Sequence, residues 1–166
     1  MQNVLLERVD YKVEETPFGT WRRFLSPTGF AYAEFTSRRR LFGLPLFAYT
    51  AGICPETGRR KMAKGVVALG KSALGVVAIG QLAIGLFPIG QFSLGLIFGL
   101  GQFSTGLLAV GQFALGGLLG FGQFTAGVVA IGQLALGWHV LAQKGVGVSV
   151  WSWSQAADFF RNLLGQ

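Results

Sequence analysis

The chain has 166 residues, of which 51% are hydrophobic and only 13% are charged, with a formal net charge of +7. Soluble enzymes of this length usually carry about 25% charged residues, so the composition argues against an ordinary enzyme. Cys54 is the only cysteine, which excludes an intrachain disulfide framework and fits a reducing compartment. No Asp, Glu, Lys or Arg lies between Lys71 and Lys144.

The first 64 residues contain most of the charges and predict a basic, β-rich N-terminal cap. Segments 4–13 and 30–35 have the composition of strands. Turn signals lie at residues 16–19 and 26–29, and a further turn at 55–58 leads into the next region. Residues 1–15 are charged and lack the apolar core of a signal peptide, so we expect a cytoplasmic protein.

Three basic clusters lie in this cap, at residues 22–23, 38–40 and 59–61. One interpretation is a solvated face that keeps an apolar protein soluble. A second is contact with an anionic membrane surface, since basic residues are attracted to acidic lipid headgroups. Nucleic acid is the weakest of the three interpretations, because no recognisable reading motif accompanies the charge.

Residues 65–150 form a five-residue repeat in which glycine opens nearly every unit. The fourth place is usually small and the fifth is usually Leu, Ile or Val, and two units, at 95–100 and 116–121, are one residue longer. A glycine every fifth residue scatters around a helix and costs it about 1 kcal/mol each, so the pattern opposes a helix. A fixed short period of this kind predicts an all-β solenoid with glycine at its corners.

The second place of the pentad alternates between glutamine and an apolar residue, so the true repeat is ten residues long. We expect the third and fifth places to face inward and the second and fourth places to face outward. One outer side then carries a ladder of glutamines: Gln81, Gln91, Gln102, Gln112, Gln123, Gln133 and Gln143. The other carries an apolar stripe, predicted to be the self-association face: Val76, Leu86, Leu96, Leu107, Val128 and Trp138.

Two windings and one different fold are compatible with this pattern. A ten-residue coil makes a flat, two-sided solenoid, which we favour because the fifth place is so consistently apolar. A twenty-residue coil makes a four-sided solenoid like that of pentapeptide-repeat proteins, which the unit GQFSL loosely resembles, although their Asp/Asn is missing here. The uncharged stretch is also long enough for transmembrane helices of about 20 residues, but its regular glutamines oppose them.

The C-terminal segment, residues 151–166, predicts a short amphipathic capping helix. Ser152 and Gln155 have the spacing of a capping box. The residues expected to cover the last coil are Trp153, Phe160, Leu163 and Leu164. A solenoid needs such a lid because its end coils expose unpaired strand edges. The same helix also fits contact with a membrane surface or a partner.

The segments SRRRLFGLPLFAY (37–49), PETG (55–58) and AKG (63–65), followed by the pentads, resemble a group of largely uncharacterised bacterial proteins. These share an FGLPL-type segment and long Ala-Ile-Gly pentads, and the resemblance covers roughly residues 35–140. It implies no activity. In architecture alone, the predicted solenoid is similar to the bactofilins, which are bacterial β-helical proteins that form polymers.

No motif predicts catalysis, a metal ion or a cofactor. The single histidine, His139, occupies a third place and is expected to be buried or in the end coil rather than to act as a base. Residues 65–72 match a phosphate-binding loop formally, but the repeat itself imposes that spacing and no acidic partner follows.

An exposed apolar stripe of this length is typical of an interface. We therefore expect a structural protein that self-associates, as a filament or as paired solenoids, through this stripe and its end coils. The alternative is a membrane-associated protein that uses the stripe, the C-terminal helix and the arginine clusters.

Overall fold

The computed structural model describes residues 9–26 and 29–163, without the side chains at 159 and 160. In these ranges the elements are β1 (Lys12–Glu15), β2 (Gly19–Leu25), β3 (Ala31–Ser37), β4 (Arg40–Leu41), β5 (Leu44–Pro45), β6 (Phe47–Gly52), β7 (Ala63–Gly70), β8 (Ser72–Gly95), β9 (Phe98–Trp151) and α1 (Trp153–Leu163). The chain divides into two compact units, residues 1–85 and 86–166. This division lies inside the repeat, whereas the sequence pattern predicts boundaries at the two ends of the repeat.

The first unit begins with an antiparallel meander of β1, β2, β3 and β6. Its register places Trp21 opposite Phe35 and Phe35 opposite Tyr49. The rings of Trp21 and Phe35 have centroids 5.0 Å apart, and such cross-strand aromatic pairs stabilise a sheet. Strand β6 then pairs in parallel with β7, Ala48 opposite Ala68. The cap is therefore β-rich, as predicted, and its last strand pairs with the first strand of the repeat.

The repeat of the first unit continues as parallel strands in which each residue pairs with the one ten positions later. Ala63 pairs with Ala73, and Ala68 pairs with Ala78. The protein is thus a β-solenoid with ten-residue coils. The twenty-residue alternative is wrong because it requires partners twice as far apart in sequence. Transmembrane helices are also wrong for this segment, because it folds as strands.

The second unit continues the repeat as strands, and each inserted residue lengthens one coil to eleven residues. Phe92 pairs with Phe103 across the first insertion. At the second insertion, Gly122 lies against the carbonyl oxygen of Gly111. The extra residues are therefore absorbed locally, and the fourth-place residues on either side remain buried.

The side chains that face inward are those of the fourth place, not the third and fifth as predicted. In the first unit these are Ala68, Ala73, Ala78 and Ala83, and in the second Pro88, Ser93, Ser104, Ala109, Ala114, Thr125, Ala130, Ala135 and Val140, all of them buried. The prediction failed because a coil of ten residues brings its two sides too close together for Leu or Phe. Side-chain size, rather than polarity, decides which residue occupies the inward place. Ser104 and Thr125 are small enough to fit there, although their buried hydroxyls have no hydrogen-bond partner among the described residues.

The glycines of the repeat allow neighbouring coils to approach each other closely, and they are not needed for a left-handed backbone conformation. Among the described repeat glycines, only Gly106 has a positive φ. A Cβ added to Gly80, Gly111 or Gly132 would instead collide with the carbonyl oxygen of the glycine one coil earlier. The corners of successive coils therefore stack with only hydrogen atoms between them, which is why no other residue fits these positions.

Helix α1 begins with the capping box that the sequence predicted. The Gln155 side chain accepts a hydrogen bond from the backbone N–H of Ser152 at 2.9 Å, and Ser152 Oγ accepts one from the Gln155 N–H at 3.3 Å. These bonds satisfy N–H groups that a helix start otherwise leaves without partners. The helix packs against β9 within the second unit.

Candidate interaction surface

The predicted apolar stripe lies mostly at the protein surface. In the first unit Val76 is exposed, and in the second unit Leu107 and Val128 are exposed while Leu86 is half-buried. Leu96 and Trp138 are the most accessible members, at 68% and 64% of their full exposure. Large apolar side chains at this accessibility are costly in water, at about 25 cal/mol for each Å² that a partner could cover.

A second apolar surface, which the sequence pattern did not predict, lies on the glutamine-bearing pentads of the second unit. We call it the phenylalanine face. Its exposed members are third-place and fifth-place residues: Phe92, Leu94, Phe113, Leu115, Phe124, Leu134 and Leu136. The usually small residue at the fourth place was the available signal, because a small inward-facing residue leaves its large neighbours facing outward.

The phenylalanine face is ordered by ring contacts between adjacent coils. Phe113 and Phe124 stack with centroids 4.8 Å apart and an interplanar angle of 6°. Phe92 and Phe103 lie 6.0 Å apart with their rings tilted. Beside the stacked pair, a shallow groove of about 390 Å³ is lined mainly by apolar side chains of four successive coils. The face therefore presents both ridges and a depression to an approaching surface.

The seven glutamines of the predicted ladder are all exposed. They lie at equivalent second-place positions of successive ten- or eleven-residue coils. No hydrogen bond joins one of these side chains to another within the described ranges. In the second unit, Gln112, Gln123 and Gln133 border a groove of about 440 Å³ along the glycine corners, and Trp153 of α1 also lines it.

His139 is exposed, so the expectation that it faces inward is wrong for the same reason as for the other third-place residues. It lines a small groove of about 210 Å³ with Trp151, Ser149 and Ala156, where α1 meets the solenoid. The groove holds no acidic side chain that could orient the imidazole as a base.

The predicted C-terminal cap is only partly a lid. Trp153 and Leu163 are exposed, although Trp153 also lines the groove that the glutamines border. The side chain of Phe160 and the whole of Leu164 lie outside the described residues. Ala156 is half-buried, beside Trp151.

A polar cluster lies in the cap of the first unit around Glu34, whose side chain is only 12% exposed. Lys61 Nζ lies 2.6 Å from Glu34 Oε1, and the hydroxyl of Tyr32 donates to Glu34 Oε2 at 2.9 Å. Arg22 lies 3.9 Å from the same carboxylate and stacks over the ring of Tyr11, 4.4 Å from its centroid. Burial first, and the hydrogen bond to Glu34 second, raise the pKa of Tyr32 above its usual value.

Cys54 lies at the edge of this cluster and is 7% exposed. Burial alone would raise the pKa of its thiol, but hydrogen bonds from the Thr57 hydroxyl, the backbone of Glu56 and Thr57, and the Tyr11 hydroxyl together lower it. Burial raises the pKa of Tyr11. The hydrogen bond between Cys54 and Tyr11 connects the turn after β6 to the residue before β1, and so it holds two parts of the cap together.

The formal phosphate-loop match at residues 65–72 lies in β7 and the start of β8, in strands rather than in a loop before a helix. Among the described residues, no group of three or more His, Cys, Asp or Glu side chains could hold a metal ion. The helix in the described ranges is too short to cross a bilayer. No family model, curated protein or solved structure matches the chain.

Proposed function

We propose that this chain is a structural protein that self-associates side by side through the apolar outer faces of its coils. The observation that carries this proposal is the outward position of its large apolar side chains, on the phenylalanine face and on the predicted stripe alike. Exposed apolar patches of more than a few hundred Å² are rare on monomeric soluble proteins and are typical of interaction sites.

A second copy of the chain suits these faces better than a charged partner does. No acidic or basic side chain lies between Lys71 and Lys144, so two copies can meet over these coils without burying a charge. Lys144 lines the last coil of the groove, at the margin of this uncharged region. The two faces are unlike each other, one with stacked phenylalanines and one with Leu96, Leu107 and Trp138. Contact between unlike faces leaves a free face on each copy and therefore allows open-ended growth.

The ends of the described chain support lateral contact over strand addition. In the first unit, β1 is the edge strand of the meander, and it carries the exposed Lys12 and Glu15 and the half-buried Glu14. Charges on an edge strand oppose pairing with another chain. In the second unit, α1 packs on β9. Growth through the end coils, which the sequence analysis also considered, is therefore the weaker route.

Sedimentation velocity and electron microscopy of the purified chain test this proposal. We expect assemblies larger than a dimer at micromolar concentration. The double substitution Phe113→Ser and Phe124→Ser removes one face, and Leu107→Gln with Trp138→Gln removes the other. Because a Phe side chain contributes about 1.5–3 kcal/mol on burial, each pair should weaken association by at least about tenfold. Combining both pairs should give monomers.

The matched control is Gln112→Ser with Gln123→Ser, which truncates neighbouring exposed residues of the same coils. It should leave the assemblies unchanged. Circular dichroism of every variant verifies that the strands remain. Dispersed monomers of the unmodified chain, or equal weakening by the glutamine control, would contradict the proposal.

A further inference from the structure

A short hairpin of the first unit presents an apolar tip to solvent. Strands β4 and β5 pair through Leu41 and Leu44, and the two residues between them form the turn. Phe42, in that turn, is 95% exposed, and Leu41, Leu44 and Leu46 are exposed as well. Four large apolar side chains are therefore accessible within six residues of chain.

The tip is built at a conformational cost. Phe42 and Gly43 have φ values of 53° and 79°, so both central residues of the turn are left-handed. A turn of this kind prefers Asn, Asp or Gly at its first central position, because a β-carbon is unfavourable there. Among the described residues other than glycine, Phe42 alone has a positive φ. An aromatic side chain kept at such a position points to a role for its ring outside the fold.

The base of the hairpin is held firmly, so the tip is a fixed projection. The backbone N–H of Leu46 donates to the carbonyl of Arg39 at 2.9 Å, and the N–H of Val67 donates to the carbonyl of Leu46 at 2.9 Å. Ser37 Oγ donates to the Arg39 carbonyl at 2.9 Å and accepts from the Phe47 N–H at 3.0 Å. These bonds connect both hairpin strands to β3, β6 and β7.

Two arginines immediately before the tip are exposed, and neither has an ion-pair partner among the described residues. Arg38 is paired with Glu15 at 2.8 Å, but no carboxylate of the described residues lies within ion-pair distance of Arg39 or Arg40. By contrast, Arg22, Arg23 and Lys61 all have acidic partners in the cap. The hairpin thus combines an apolar tip with positive charge at its base that no described carboxylate pairs with.

We infer that the β4–β5 hairpin is a membrane-contacting loop that inserts Phe42 into the interface of an anionic lipid surface. Arg39 and Arg40 then lie at the level of the acidic headgroups, where charge complementarity favours them. Aromatic rings are favoured at the boundary between headgroups and acyl chains, and Leu41 and Leu44 add apolar area beside the ring. This inference does not depend on self-association, because none of the residues of the hairpin belongs to the phenylalanine face or to the predicted stripe.

Flotation with vesicles tests it, because floating separates vesicle-bound protein from heavy self-assembled protein. The probes are vesicles of phosphatidylcholine alone and of phosphatidylcholine with phosphatidylserine. We expect the full chain to float with the anionic vesicles and to be released by high salt. Phe42→Asn should lower the partition coefficient about tenfold or more. Arg39→Gln and Arg40→Gln should lower it about fivefold each, on the anionic vesicles only.

Two matched controls distinguish vesicle binding by the hairpin tip from nonspecific binding through other exposed residues. Phe18→Asn changes another highly exposed phenylalanine of the same unit, and Arg59→Gln with Arg60→Gln removes another exposed basic pair. Both should bind as the unmodified chain does. Because Asn suits the left-handed turn, Phe42→Asn should also keep or raise the melting temperature, so lost binding is not lost folding. Absence of flotation, equal binding to neutral vesicles, or equal loss in the controls would overturn the inference.

Discussion

In the cap of the first unit, the buried side chains include Tyr32 and Thr50, whereas in the coils of the second unit they are mainly Ala, Ser and Thr. The cap meander has a charged cluster and aromatic pairs, and its antiparallel strands leave room for large residues. The coils have ten or eleven residues each, and their large residues lie outside. Hydrophobicity therefore decides which residues are buried only where the backbone leaves enough space.

The strongest test of this contrast concerns the glycine corners of the second unit. Gly122→Ala should destabilise the coils by about 4 kcal/mol, because the new Cβ would collide with the backbone oxygen of Gly111 and the coils cannot separate without losing hydrogen bonds. Gly117→Ala is the matched control, since its Cβ would make only ordinary van der Waals contacts, 3.4 Å from the tip of Leu107 and 3.7 Å from the carbonyl oxygen of Gly106. That change should be neutral or stabilising by up to about 1 kcal/mol. Urea unfolding followed by circular dichroism measures both, and equal effects would contradict the stacking argument.

The next test concerns the narrow interior. Ala114 is fully buried, so Ala114→Leu should cost about 3 kcal/mol through overpacking. Ala126→Leu is the same change at a half-exposed fifth place, where the repeat usually has Leu, Ile or Val. It should change the free energy of unfolding by less than about 0.5 kcal/mol. If Ala114→Leu were tolerated as well as Ala126→Leu in the same urea titration, the interior would have more room than the register implies.

The sequence predicted the period of the repeat but not its orientation. Alternation of Gln with an apolar residue at the second place predicted a ten-residue repeat, and the consistently apolar fifth place favoured a ten-residue coil over a twenty-residue one. The register confirms the ten-residue coil, although the fifth place does not face inward. Predicting which place faces inward requires the distance between the two sides of a coil, and the composition of the repeat does not give that distance. Ranking by hydrophobicity therefore placed residues such as Phe113 inside.

The capping box of α1 was predictable because its two residues are three apart and their bonds are local. The cluster around Glu34 was not, because Tyr32, Lys61 and Arg22 meet only through the register of the meander. The β4–β5 turn was missed because Phe42-Gly43 lacks the Asn-Gly signal of such turns. Local chemistry was thus visible in the sequence, and long-range registry was not.

The smallest expected effect is a pH dependence of stability that differs between the two units. All three tyrosines lie in the first unit, and the pKa values of Tyr11 and Tyr32 are raised in the folded state. The unfolded chain ionises these groups near pH 10, whereas the folded cap keeps them neutral. Their contribution to stability is therefore complete below about pH 10 and is lost as the pH rises through the folded-state values.

Urea titrations between pH 8 and 11, with tyrosine ionisation followed by absorbance, measure this loss. Tyr32→Phe should cost about 1 kcal/mol at pH 8 through the missing hydrogen bond to Glu34, and it should flatten the alkaline decline. Tyr11→Phe should remove the part of the alkaline decline in stability that Tyr11 causes, and the double variant should remove the contributions of both tyrosines. The second unit contains no tyrosine, so its stability should not follow this decline. An alkaline decline that persists unchanged in the double variant would show that Tyr11 and Tyr32 do not cause it.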